Sequence, residues 1–234
     1  MVIKNDDLLS LSAGSLTFKF LPSGDLFQAT SGTTMINQWL SNSIDGSFNN
    51  IYLRVHDEEG IHAYPLLGVH SQSRVRKLDH HLVFEGIAAG LRYQVVFTLT
   101  EQGIWFWEVK VSGEHKLIDL IYGQDIGIAD AGAVRSNEAY LSQYIDHTVF
   151  EDESKGYVVC SRQNQPQGGA FPYVQQGSLT RATSYSTDGF QFYGLSYKET
   201  NKPVCLTQDS LANEVYQYEF AYTALQSERV QLEG

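Results

Sequence analysis

The stretch that decides the fold is LRYQVVFTLTEQGIWFWEVKV, residues 91–111. Leu91, Tyr93, Val95, Phe97 and Leu99 alternate with Arg92, Gln94, Val96 and Thr98. Thr100-Glu101-Gln102-Gly103 interrupts the run, and Trp105, Trp107, Val109 and Val111 then alternate with Ile104, Phe106, Glu108 and Lys110. A period of two places every second side chain on one face of an extended chain. The stretch therefore predicts a β-hairpin with one apolar face turned to a core. On that face Trp105 and Trp107 read as core residues and not as a platform for a ligand.

The pattern recurs outward from there. Residues 15–20 and 25–28 flank Pro22-Ser23-Gly24, and residues 51–55 and 61–67 flank Asp57-Glu58-Glu59-Gly60. Residues 143–150 alternate again and pair across an acidic tip with Tyr157-Val158-Val159-Cys160. Tyr216, Tyr218, Phe220 and Tyr222 would share one face of a late strand. Residues 225–232 read as the start of a strand that lacks the partner a hairpin would supply, which suggests a fragment of something longer. Helical periodicity is scarce. The best candidate is residues 136–141, with Ser136 as its cap. Many short strands with glycine-bearing turns, and no internal repeat or linker, predict an all-β chain: one antiparallel β-sandwich domain over residues 1–234.

Composition narrows the function. The 234 residues carry a formal net charge of −11, with 42% hydrophobic and 12% aromatic residues. Arg74-Val75-Arg76-Lys77 is the densest basic run, too short to hold nucleic acid or an anionic membrane surface. No run of about 18 apolar residues is present. The start, MVIKNDDLLSLSAG, has acidic residues where a secretory leader needs a basic and then an apolar region, so a cytoplasmic location is expected. Cys160 and Cys205, each in an apolar run, read as buried free thiols.

Most catalytic signatures are missing. Gly127 to Gly132 has phosphate-loop glycine spacing, but Ala133-Val134 stands where Lys-Ser/Thr is needed. His80 and His81 point to opposite faces of an extended run, so no metal ligand set forms there. No metal and no cofactor is expected. Asp125 and Asp130 read as loop carboxylates that hold backbone amides, and Glu151-Asp152-Glu153 as a solvated tip. What stands out is SRQNQPQGGAF, residues 161–171. The guanidinium of Arg162 and the amides of Gln163, Asn164 and Gln165 are fixed donors and acceptors suited to sugar hydroxyls or phosphate oxygens, and Phe171 and Tyr173 offer ring faces. A plain polar turn fits the same residues equally well.

The run YGQDIGIADAGAVRSNEAYLSQYIDHTVFEDESKGYVVCSRQNQPQGG, Tyr122 to Gly169, resembles the N-terminal domain of glycoside hydrolase family 94. The likeness is nearest to members acting on β-1,2-glucans: 1,2-β-oligoglucan phosphorylases and the phosphorylase-like part of cyclic β-1,2-glucan synthases. GQDIGIAD, NEAY, SQYIDH and VVCSRQNQ carry it. The resemblance implies a galactose-mutarotase-like super-sandwich preceding an (α/α)6 barrel. It also implies phosphate-driven, inverting cleavage of a β-glucan to α-glucose 1-phosphate by the whole enzyme. The general-acid Asp would belong to the barrel, so these residues alone would be inactive and would hold no catalytic residue. Arg162, Gln163, Asn164 and Gln165 would face the substrate cleft, and the domain would pack against the barrel and, in some members, a second subunit.

Two other functions stay open. A stand-alone mutarotase-type enzyme would need His147 to work with Glu138 or Asp146, although Asp146 and His147 are neighbours pointing to opposite faces. A carbohydrate-binding or oligomerisation module would use exposed rings, of which Trp39 is the best candidate.

Overall fold

The computed structural model describes residues 7–218 and 220–233; the first six residues of the opening segment weighed above as a leader lie outside them. The chain is built from antiparallel sheets, as the alternation predicts. β1 (Leu9–Ala13), β2 (Leu16–Phe20), β3 (Leu26–Ser31) and β4 (Thr34–Met35) form a meander. β5 (Asn50–Asp57) and β6 (Gly60–Pro65) are a hairpin. β7 (Arg74–Lys77), β8 (His81–Ala88), β9 (Leu91–Leu99) and β10 (Trp105–Ser112) form a four-stranded sheet of sequential neighbours. The long β11 (Glu114–Asp125) runs into β12 (Ala129–Asp130), which closes the first meander by pairing with β4.

Two short helices follow, α1 (Ala131–Ser136) and α2 (Glu138–Ser142). β13 (Ile145–Asp152), β14 (Gly156–Gln163), β15 (Tyr173–Gln176) and β16 (Ala182–Asp188) come next. After α3 (Gly189–Tyr193) and α4 (Tyr197–Thr200), β17 (Ala221–Ser227) and β18 (Val230–Glu233) complete the described chain. Among the described residues the largest sheet has the order β13-β14-β16-β17-β11-β5-β6, with β15 beside β14 and β18 beside β11. β14 and β16 meet in parallel at Gly156 and Ala182.

The sheets enclose the principal core. Phe18 and Phe20 of β2, Leu53 of β5, Phe84 of β8 and Phe97 of β9 are fully buried there. Burying each such side chain contributes roughly 2–3 kcal/mol. Trp105 and Trp107 pack on it, their rings 5.3 Å from Phe18 and 4.4 Å from Phe97 respectively. A second core on the opposite face of the large sheet joins Tyr52, Phe192, Tyr193, Phe220 and Tyr222. Both cysteines are free, Cys205 buried and Cys160 half-buried.

Three expectations are corrected. Asn137, not Ser136, caps the helix at residues 138–142, accepting the Tyr140 N–H at 3.1 Å; the Ser136 hydroxyl instead donates to the Gly132 carbonyl at 2.8 Å. Of the four rings expected on one late strand only Tyr222 lies in it; Tyr216, Tyr218 and Phe220 precede its start at Ala221, and the Tyr216 N–H is held by Thr187 Oγ1 at 2.7 Å in a loop crossing β16. The late apolar segment does not lack partners. β17 sits between β16 and β11, and β18 pairs with the N-terminal half of β11. The partner is a strand from mid-chain, which local pattern cannot indicate.

Candidate functional site

The Arg162–Gln165 stretch sits where β14 leaves the sheet and returns as β15. Gln167 and Ala170 close the turn with reciprocal backbone hydrogen bonds of 2.7 and 3.0 Å. Between them Gly168 and Gly169 both take positive φ, +57° and +85°. A two-residue turn with both central residues left-handed matches the twist of the flanking strands, which is why a Gly-Gly pair stands there.

Most of the amides around the turn are structural. The Gln163 side chain is fully buried; its Nε2 donates to the Leu141 carbonyl at 3.2 Å and its Oε1 accepts the Gln165 N–H at 3.0 Å. Gln167 Oε1 accepts the Asp130 N–H at 2.8 Å, tying the loop to the start of α1. Asp130 in turn caps α1 by accepting from Gly132 and Ala133. Gln165 is half-buried, with Nε2 at 3.5 Å from the Tyr140 hydroxyl. Asn164 is exposed and is anchored by its backbone, whose N–H donates to the Tyr144 carbonyl at 2.9 Å.

Arg162 also faces solvent. Register places it between Asp146 of β13 and Tyr173 of β15. No ion pair joins it to Asp146; the guanidinium lies over the Phe171 ring, 5.1 Å from its centroid. The ring's negative face holds the cation and leaves its N–H fork open. Tyr173 and Phe171 are exposed beside it, and Tyr140 and Tyr144 pack edge-to-face at 5.2 Å on the α2 side. The hydrogen bond between those two hydroxyls raises Tyr144 above the usual tyrosine range. The structure thus brings Arg162, Asn164, Phe171 and Tyr173 to one surface and turns Gln163 inward.

Beneath this surface lies His147, on the inner face of β13. It is 6% exposed, and its Nδ1 is 2.8 Å from Ser161 Oγ. Burial depresses its pKa to about 4, against a smaller opposing pull from Asp146. Asp146 projects to the other, solvent side of the strand. The imidazole and that carboxylate therefore do not converge, as mutarotase-type acid–base chemistry would require.

Asp125 is the carboxylate that composition alone underrates. It is 1% exposed and accepts the backbone N–H groups of Gln38 and Trp39, both at 2.8 Å. Burial pushes its pKa up to about 6, against the lowering effect of those amides. Trp39, the other sugar-platform candidate, is 39% exposed and packs edge-on against Phe48 and Phe220. Among the described residues no group of three His, Cys, Asp or Glu side chains could hold a metal ion. No helix among them is long and apolar enough to cross a membrane.

The described residues thus define an all-β protein of antiparallel sheets, with a ring-and-amide surface beside an Asp-capped helix. Residues 19–234 match the SOGP N-terminal domain, and the chain belongs to that family. It is also 41% identical, over 221 residues and 94% of its length, to a 1,2-beta-oligoglucan phosphorylase of Listeria innocua. Those residues cover 20% of that relative, so the chain spans about a fifth of the length of the curated protein it matches.

Proposed function

We propose that this chain is the N-terminal, non-catalytic β-sandwich domain of a longer inverting glycoside phosphorylase acting on β-1,2-glucans with phosphate. The observation that carries this reading is the 41% identity, over nearly the whole chain, to a protein named 1,2-beta-oligoglucan phosphorylase. In the proposed whole enzyme a separate helical barrel supplies the reacting groups, and this domain lends part of the rim of the substrate cleft. Arg162 and Asn164 donate to glucose hydroxyls, Phe171 and Tyr173 offer ring faces, and Gln163 and Gln165 hold the loop in shape. The Arg162 fork, free of a carboxylate and seated on Phe171, supports the rim assignment.

The test compares the product of the complete reading frame with residues 1–234. Release of glucose 1-phosphate from β-1,2-glucooligosaccharides and phosphate is expected from the former and not from the latter. A complete product that phosphorolyses no β-1,2-glucan overturns the reading.

A further inference from the structure

Positive charge gathers on the outer face of the four-stranded sheet, far in sequence from the Arg162 loop. Strand register sets Arg74, Glu85, Gln94 and Lys110 in one row across β7–β10, and Arg92 beside Ser112 in the next. These residues line an open groove of about 610 Å³. The sign of this surface is opposite to that of the chain, whose net charge is −11.

Glu85, the carboxylate in the groove wall, is already satisfied. Its Oε2 accepts from Arg76 Nη2 at 2.7 Å and its Oε1 from Gln94 Nε2 at 2.9 Å. Those bonds, the Gln94 one foremost, hold it below the usual carboxylate range. Among the described residues Lys110 pairs only with the exposed Glu108, at 3.1 Å. Among the described residues neither Arg74 nor Arg92 has an ion-pair partner. Arg92 and Lys110 sit diagonally on adjacent strands, with Cβ atoms roughly 7–8 Å apart, so that one anion can lie between the two side chains.

We propose that this groove is a binding site for a tetrahedral oxyanion: phosphate, free or as a monoester. Arg92 presents two parallel N–H donors to two oxygens, Lys110 a compact charge, and Ser112 and Gln72 neutral donors at the rim. The proposal is independent of the glucan reading and stands or falls without it.

The test is a titration of the nitrogen-15-labelled 234-residue chain with inorganic phosphate, ionic strength held constant with chloride. The expected result is a saturable shift of the Arg92, Gln94, Lys110 and Ser112 amides. It should weaken about tenfold or more in R92Q and in K110Q and stay unchanged in K198Q, on α4. Shifts that chloride alone reproduces, that never saturate, or that persist in the R92Q/K110Q double variant overturn the proposal. Running glucose 6-phosphate in parallel separates the sources. Tighter saturation by the ester assigns the site to a monoester, and equal or weaker saturation assigns it to the free anion.

Discussion

Asp125 holds Trp39 by its backbone: a buried carboxylate oxygen accepts the Trp39 N–H at 2.8 Å and the neighbouring Gln38 N–H at the same distance. The bond joins the end of β11 to the loop after β4, 86 residues apart. The folded pKa of about 6 lies above the ordinary 3.8, so between those values the folded chain binds more protons than the unfolded one. The stability this group contributes is complete below about pH 4 and is lost as pH rises through about 6. The stability of wild type minus that of D125N should therefore fall by about 3 kcal/mol from pH 4 to 7 and then level off. Urea denaturation at a series of pH values measures it. A difference that is flat across that window removes the assignment.

His147 titrates in the opposite sense. Its folded pKa of about 4 lies below the ordinary 6.5, so the unfolded chain binds the extra proton. Stability from this group is present above about pH 6.5 and disappears as pH falls through about 4. Wild type minus H147Q should rise by about 3 kcal/mol over that interval. Because the two groups oppose each other between pH 4 and 6, the wild-type curve should be flatter than either variant's. A wild-type curve steeper than both would contradict the pair of assignments.

Much of this architecture is legible because alternation is a local signal. The hairpin read from residues 91–111 spans Leu91–Leu99 and Trp105–Ser112 in the structure, and Asp125 and Asp130 hold backbone amides as read, although they stand at the ends of β11 and β12 and not in a loop. What the sequence hides is pairing at long range and the direction of single side chains. Gln163 and Asn164 look equivalent in a polar run, yet strand pleat turns one inward and leaves the other outside. The partners of β17 and β18 arrive from β11 and β16, and nothing within ten residues announces them. The small helices α3 and α4 escape because four or five residues are too few to display a 3.6-residue period.

The Arg54–Asp119 pair is the largest feature of that hidden kind. Both side chains are fully buried, with Nε–Oδ1 and Nη2–Oδ2 contacts of 2.6 Å. Asp119 Oδ2 also accepts from Gln226 Nε2 at 3.0 Å, and Arg54 Nη1 donates to the Gln208 carbonyl at 2.6 Å. Removing Asp119 leaves the buried Arg54 guanidinium without a carboxylate, and removing Arg54 leaves the buried Asp119 to His56 Nε2 at 3.0 Å and the more distant Arg229 Nε at 3.9 Å. R54M or D119L alone should cost about 3–5 kcal/mol, and the double variant should recover much of that loss. Additive losses in a thermal or urea double-mutant cycle would show that the two act separately.

Gly156 starts β14 with φ +72°, and an added Cβ would run into the Ala182 carbonyl where β14 and β16 meet in parallel. Gly32 has a similar φ of +57°, with nothing within 4 Å of its Cβ position. Gly32→Ala therefore reports backbone strain alone, about 1 kcal/mol. Gly156→Ala adds a clash with backbone that cannot swing aside and should cost at least about 2 kcal/mol more. Equal losses for the two in urea melts would mean that the β14–β16 contact yields freely.

Arg162 and Asp146 face each other across β14 and β13, yet the guanidinium rests on Phe171. Deleting the ring should release it to the carboxylate. In F171A the Arg162 Nε–H resonance should lose its ring-current shift, and adding D146N should then move it further. Stability should change by no more than about 1 kcal/mol, because the site is exposed. If the fork serves as a sugar donor, the complete enzyme carrying F171A should show a raised KM for β-1,2-glucooligosaccharides with kcat nearly unchanged, and R162A should show more of the same. The chemistry would be elsewhere, so what is lost is binding felt equally by substrate and transition state. A fall in kcat with KM unmoved would place Arg162 against the reacting atoms and sink the rim assignment.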